Sequence, residues 1–199
     1  RPTRRSQGEE GGSGARLGLI ADIPGNLEAL AAVLAVLDAE GIPRVLCLGD
    51  VVGYNADSDA CVTALTARGI PCIAGNHDLI AVGRLGFERC AARAAFALRQ
   101  TRRTLGYESR RVLSSLPWLW HEEDRLAVHG GLDDPQAYVR SDSGLIRQAV
   151  AIRARFPGVR TCFFGHTHEP MDRIVEGIRF VNPGSVDGAR RDDHRAQWA

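Results

Sequence analysis

At 199 residues and 44% hydrophobic, the chain is long enough to bury one sizeable core. Its 25 basic residues nearly cancel its 24 acidic ones, so there is no broad positive face for nucleic acid or an anionic membrane. No apolar run approaches the roughly 20 residues of a membrane helix, and the five cysteines lack CxxC spacing, which fits reduced thiols in a cytoplasmic protein better than disulfides.

Residues 1–15 are rich in Arg, Gly, Ser and Glu without periodicity, and read as a disordered leader or an expression remnant. Residues 16–199 are expected to form one domain. Leu17 to Ala21 is a continuous apolar run of buried-strand type, with Asp22 at its carboxyl end. Asn26 then caps a helix whose positions Leu27, Leu30, Ala31, Leu34 and Leu37 follow the helical period, and Gly41 with Pro43 stops it. Val45 to Leu48 is the next strand and ends in Gly49-Asp50; a helix near 59–68 leads to a third strand, Ile70 to Ala74. That strand delivers Gly75-Asn76-His77-Asp78, read as a turn that offers a metal-binding amide, an acid or base, and a carboxylate to orient it.

A helix is expected over 86–105, with Phe87, Cys90, Ala91, Ala94 and Leu98 inward and Arg89, Arg93, Arg99, Arg102 and Arg103 on a solvated face. Another follows at 108–116. Trp118 to Trp120 and Leu126 to Val128 read as strands around the acidic turn 122–124, the second ending in His129-Gly130. After a helix at 143–156, Thr161 to Phe164 empties into Gly165-His166-Thr167-His168. In extended chain, residues two apart point the same way, which brings both imidazoles to one site. A hairpin over 173–181 precedes the turn Asn182-Pro183-Gly184-Ser185.

Five strand ends thus carry Asp22, Asp50, Asn76, His129 and the pair His166 and His168. Open α/β sheets bind ligands beyond the carboxyl ends of their strands. The donors are oxygen and nitrogen without thiolate, which suits a pair of divalent ions such as Mn, Fe or Zn, and two neighbouring ions suit attack on phosphorus.

In these blocks the chain resembles the calcineurin-like metallophosphoesterases, and within them the compact bacterial and archaeal phosphodiesterases. The blocks stand as Asp22-Ile23-Pro24-Gly25-Asn26, Gly49-Asp50-Val51-Val52-Gly53-Tyr54, Gly75-Asn76-His77-Asp78, His129-Gly130 and Gly165-His166-Thr167-His168. The resemblance implies a four-layer sandwich of two mixed sheets flanked by helices. It also implies that Asp50 bridges two divalent ions, that Asp22 and His168 complete the first, and that Asn76, His129 and His166 complete the second. Hydrolysis of a small phosphoester by water activated between the ions follows from it, manganese being the ion expected first. His77, oriented by Asp78, would face the phosphate or its leaving oxygen.

Two departures stand out. The first block of the family usually reads Asp-x-His, but position 24 is Pro, which leaves the first site one ligand short unless His121 or His194 substitutes. The family also usually continues into a closing strand where this chain reaches Ala199, which suggests truncation or an open sheet edge. A phosphodiesterase is favoured because Val52-Gly53-Tyr54-Asn55 replaces the Asp-Arg-Gly element of the protein phosphatases. Pro24 is the argument for the alternative, a binding scaffold such as the retromer subunit of this fold; the balanced charge disfavours a nuclease.

Overall fold

The computed structural model describes residues 16–188 and 196–199, so the leader expected at 1–15 and His194 lie outside the described residues. Strand β1 (Leu17–Ile20) pairs in parallel with β2 (Arg44–Cys47), Leu19 lying opposite Leu46. The expected third strand shrinks to one parallel bridge, Cys72 opposite Cys47. Pro71 has no N–H with which to extend a ladder, although its carbonyl accepts from Cys47 at 2.9 Å. Leu19 of β1 and Ala199 exchange main-chain hydrogen bonds of 2.6 and 3.2 Å.

The second sheet is mixed and runs β3-β4-β5-β7-β6. Parallel pairing joins β4 (Arg125–Val128), β5 (Thr161–Phe163) and β7 (Ile178–Asn182); β3 (Leu119–Glu122) and β6 (Met171–Val175) flank them antiparallel. Alternation along the strands sets the layers. Leu19, Leu46, Leu48 and Ile73 face Ala127 and Phe163 between the sheets. On the outer face of the first sheet, Ile20 and Cys47 meet Leu30, Val33, Leu34 and Leu37 of α1 (Leu27–Ala39) and Cys61, Val62 and Leu65 of α2 (Ser58–Ala67). On the outer face of the second, Leu126, Cys162 and Phe180 meet Leu145, Ala149 and Ile152 of α6 (Asp142–Arg155). The result is two sheets flanked by helices. Each fully buried Leu or Ile contributes roughly 1.5–3 kcal/mol.

Local signals explain the helix starts. Asn26 caps α1, its Oδ1 accepting from the Ala29 N–H at 3.0 Å, and Ser141 does the same for α6 through Gly144. In α1 it is Val33, not Ala31, that joins the buried stripe. The turn expected at 75–78 is the first turn of a short helix, α3 (Asn76–Ala81). The helix expected from 86 begins only at α4 (Ala92–Thr104), and α5 (Tyr107–Ser115) follows. The arginines of α4 are not all solvated: Arg99 and Arg102 stack over Phe87 at 4.9 and 4.6 Å. Arg102 also donates through Nε to the Ile80 carbonyl at 3.0 Å, pinning the end of α3. None of the helices among the described residues is long and apolar enough to cross a membrane.

Candidate metal centre

The carboxyl ends of β1, β2, β4 and β5 and the start of α3 meet at the top of the two sheets. Asp22, Asp50, His166 and His168 all have positive φ, between 55° and 64°. Non-glycine residues rarely adopt that conformation outside turns, and it costs on the order of 1–3 kcal/mol each unless the surroundings enforce it. The histidine pair therefore reaches the site from a loop of left-handed residues, not from the extended chain expected. Asn182 braces that loop, its Nδ2 donating to the Gly165 carbonyl at 2.8 Å and to Thr167 Oγ1 at 3.1 Å. Gly75 is required by close approach: a Cβ there would lie 2.2 Å from Asp50 Oδ1.

His129 is the hinge of the arrangement. Its Nδ1 donates to the Leu48 carbonyl at 2.7 Å, which fixes the tautomer and turns Nε2 inward. That nitrogen lies 3.1 Å from Asn76 Oδ1, 3.3 Å from Asp50 Oδ1 and 4.0 Å from Asp22 Oδ1. Asp50, His129 and His166 present donor atoms all within 4.8 Å of one another, and all three residues are buried. Several Lewis bases packed this tightly need a cation or a proton between them. Without an ion the proton takes that place. Burial alone would lower the His129 imidazole, but Asp50, with Asp22 behind it, more than offsets this and raises it to about 10. Burial likewise works against the Asp50 carboxylate, yet His129 and then His77 hold it well below the usual range. A divalent ion fits this donor set, and oxygen and nitrogen ligands without thiolate favour a hard or borderline one.

Asp22 stands beside this cluster. Its Oδ2 accepts from the His166 N–H at 3.0 Å, while Oδ1 faces His168 Nε2 at 3.2 Å and makes no hydrogen bond. Pro24 follows in the same buried loop and brings no donor. The substitute proposed in His121 is ruled out by position, because that residue is exposed on β3 with its ring 5.2 Å from Phe156.

The role expected of Asp78 is also corrected. Its carboxylate does not hold His77. It accepts from the main-chain N–H groups of Gly75, Asp50, Val51 and Val52 at 2.9 to 3.2 Å, tying the β2 loop to the start of α3. Burial, then the charge of Asp50, pushes this carboxyl up to about 7 against those donors. His77 instead packs edge-on against Tyr54 and turns Nδ1 toward Asp50 Oδ2, 3.5 Å away.

The structure therefore brings all six expected ligands and His77 to one end of the molecule. Two supports, the Leu48 carbonyl and Asn182, escaped the sequence reading. A main-chain acceptor leaves no signature in a sequence, whereas the Asn-Pro-Gly-Ser turn did mark Asn182. A cavity of about 160 Å³ opens against Asn76 and His166, walled by Tyr54, Arg89, Gln136 and Tyr138. A larger hollow, about 770 Å³, lies along Leu17, Phe163 and Trp198 and contains none of the six ligands.

An uncharacterized protein of Methanocaldococcus jannaschii is 28% identical over 174 residues, covering 85% of this chain and 69% of its relative. The crystal structure of a metallophosphoesterase from Sphaerobacter thermophilus superposes with a TM-score of 0.73 at 30% identity, over 92% of this chain and 82% of that one. A protein of Pyrococcus horikoshii shares the fold, with a TM-score of 0.71 at 20% identity, over 86% and 77% of the two chains. The model of the calcineurin-like phosphoesterase superfamily domain matches residues 16–198, and the chain belongs to that superfamily.

Proposed function

We propose that the protein is a metal-dependent phosphoester hydrolase acting on small phosphodiesters in the cytoplasm, with manganese as its first-choice ion and iron or zinc as the others that suit the donor set. The observation that carries this reading is the buried triad Asp50, His129 and His166, joined by Asn76, in a chain of this superfamily. When bound, two divalent ions would supply charge for the phosphoryl oxygens and lower the pKa of attacking water. Asp50 would be shared between them, with Asn76, His129 and His166 on one side and Asp22 and His168 on the other.

The chain's own residues do the rest. Leu48 holds His129 in the tautomer that presents a lone pair, and Asp78 fixes the loop that carries Asp50. The cavity beside Asn76 and His166 suits a small substrate, and Tyr138, whose ring centroid is 4.2 Å from that of His166, shields that ligand from water. Preference for diesters is supported by Val52-Gly53-Tyr54-Asn55, which by resemblance stands where the protein phosphatases have a monoester-binding element. The test is exhaustive chelation, then return of Mn, with bis(p-nitrophenyl) phosphate and p-nitrophenyl phosphate as substrates. Diester hydrolysis should vanish and return; hydrolysis that survives chelation contradicts the proposal.

A further inference from the structure

A further cavity, about 450 Å³, lies between α4 and the loop after β2. Its volume falls in the range of roughly 300–1,000 Å³ that small-molecule sites occupy. Arg93, Phe96 and Gln100 recur at the spacing of one helix face and line it from α4, while Gly53, Tyr54 and Asn55 line it from the loop. The two walls are tied together before anything binds. Thr101 Oγ1 donates to the Gly53 carbonyl at 3.0 Å, and Asn55 Nδ2 donates to Asp187 Oδ1 at 3.0 Å, so little ordering is left for a ligand to impose.

Tyr54 connects this cavity to the metal cluster. It is a wall of the 450 Å³ cavity and also of the smaller one against Asn76 and His166, and its ring meets His77 edge-on at 5.1 Å. A group anchored at the cluster reaches the larger cavity by passing this one ring. Phe96 stands on the α4 wall with 75% of its surface exposed, and the Arg93 guanidinium lies 6.0 Å from the centroid of the Tyr54 ring. Arg93 has no ion-pair partner among the described residues, unlike Arg89, which is paired with Asp134.

We propose that this cavity receives one ester arm of the substrate, and that the arm ends in a planar heteroaromatic group of nucleobase size. Tyr54 and Phe96 supply aromatic faces, on which flat rings stack whatever their identity. Asn55 and Gln100 bring amides to the same walls for the ring's polar edge, and Arg93 draws the anionic diester toward Tyr54. The proposal rests on the hydrolase reading above and narrows its substrates from small phosphodiesters to nucleoside-type ones, with Phe96 as the residue that sets the preference.

The experiment is calorimetric titration of the Mn-loaded full chain with adenosine 5′-monophosphate and with ribose 5-phosphate, which carry the same phosphate and sugar and differ in the base. The nucleotide should bind at least about 10-fold more tightly, the order expected when one base stacks on an aromatic side chain. Phe96→Ala should bring the two affinities together, and Phe96→Trp should keep them apart; thermal melts check that both variants are folded. Equal affinities in the wild type, or a preference that survives in folded Phe96→Ala, overturn the proposal and leave the hydrolase reading standing. Bis(p-nitrophenyl) phosphate hydrolysis is followed in the same samples. A protein that binds the nucleotide through Phe96 yet hydrolyses no diester overturns the hydrolase reading, and with it the assignment of the cavity to a substrate arm.

Discussion

The His129 imidazole donates to the Leu48 main-chain carbonyl at 2.7 Å, joining the loop after β2 to the end of β4 across the seam between the two sheets. One ring thus serves fold and site together. His129→Ala should weaken binding of the ion shared by Asn76 and His166 at least about 100-fold in a metal titration. It should also cost roughly 1–3 kcal/mol in urea unfolding of the metal-free protein, because the Leu48 carbonyl is left buried without its donor.

Asp78 should behave as a structural anchor and not as a partner of His77. Asp78→Ala removes the acceptor for four main-chain N–H groups, and a hydrogen bond to a charged group is worth about 1.5–3 kcal/mol. Even one bond's worth should appear as a clear drop in urea midpoint, with metal affinity falling as the Asp50 loop loosens. Unchanged stability combined with a slower rate would restore the orienting role.

Gly53→Ala should be costly although it adds a single methyl group. The backbone there has φ +147°, and the new Cβ would press on His77 Nδ1. A loss of about 1–3 kcal/mol is expected from the backbone conformation alone, read by thermal melting.

The pH dependence of the metal-free protein follows from His129. Its folded pKa, about 10, lies above the ordinary 6.5, so its contribution to stability is fully present below 6.5 and is lost as pH rises through 10. Asp78, raised from 3.8 to about 7, acts with the same sign over the lower window, from 3.8 to 7. Melting temperature without metal should therefore fall as pH rises from about 4 to 10. Metal binding should tighten over the upper window, because an ion must displace the His129 proton. Calorimetry at pH 8 in buffers of different ionisation enthalpy should register proton release on Mn binding.

Much of this was legible in the sequence because it depends on local chemistry. Alternation and strand-end position located Asp22, Asp50, Asn76, His129, His166 and His168, and the Asn26 cap and the 173–181 hairpin fell where they were expected. What escaped depends on contacts distant in the chain. Pro71 reduced a strand to a bridge, and α3 began where a turn was expected because Asp78 found main-chain donors in the Asp50 loop. The arginines of α4 read as solvated, since neither Phe87 beneath them nor the Ile80 carbonyl is visible from helical periodicity.

On the proposed function, divalent-ion binding and phosphodiester hydrolysis are one phenomenon at this cluster. The most direct measurement follows bound Mn by EPR and bis(p-nitrophenyl) phosphate hydrolysis in the same samples, starting from the metal-free protein. The rate should be zero without metal and rise in step with occupancy of the second ion, with Asp50→Asn abolishing both. A rate that is the same from empty to saturated protein would show that hydrolysis does not depend on the bound ions.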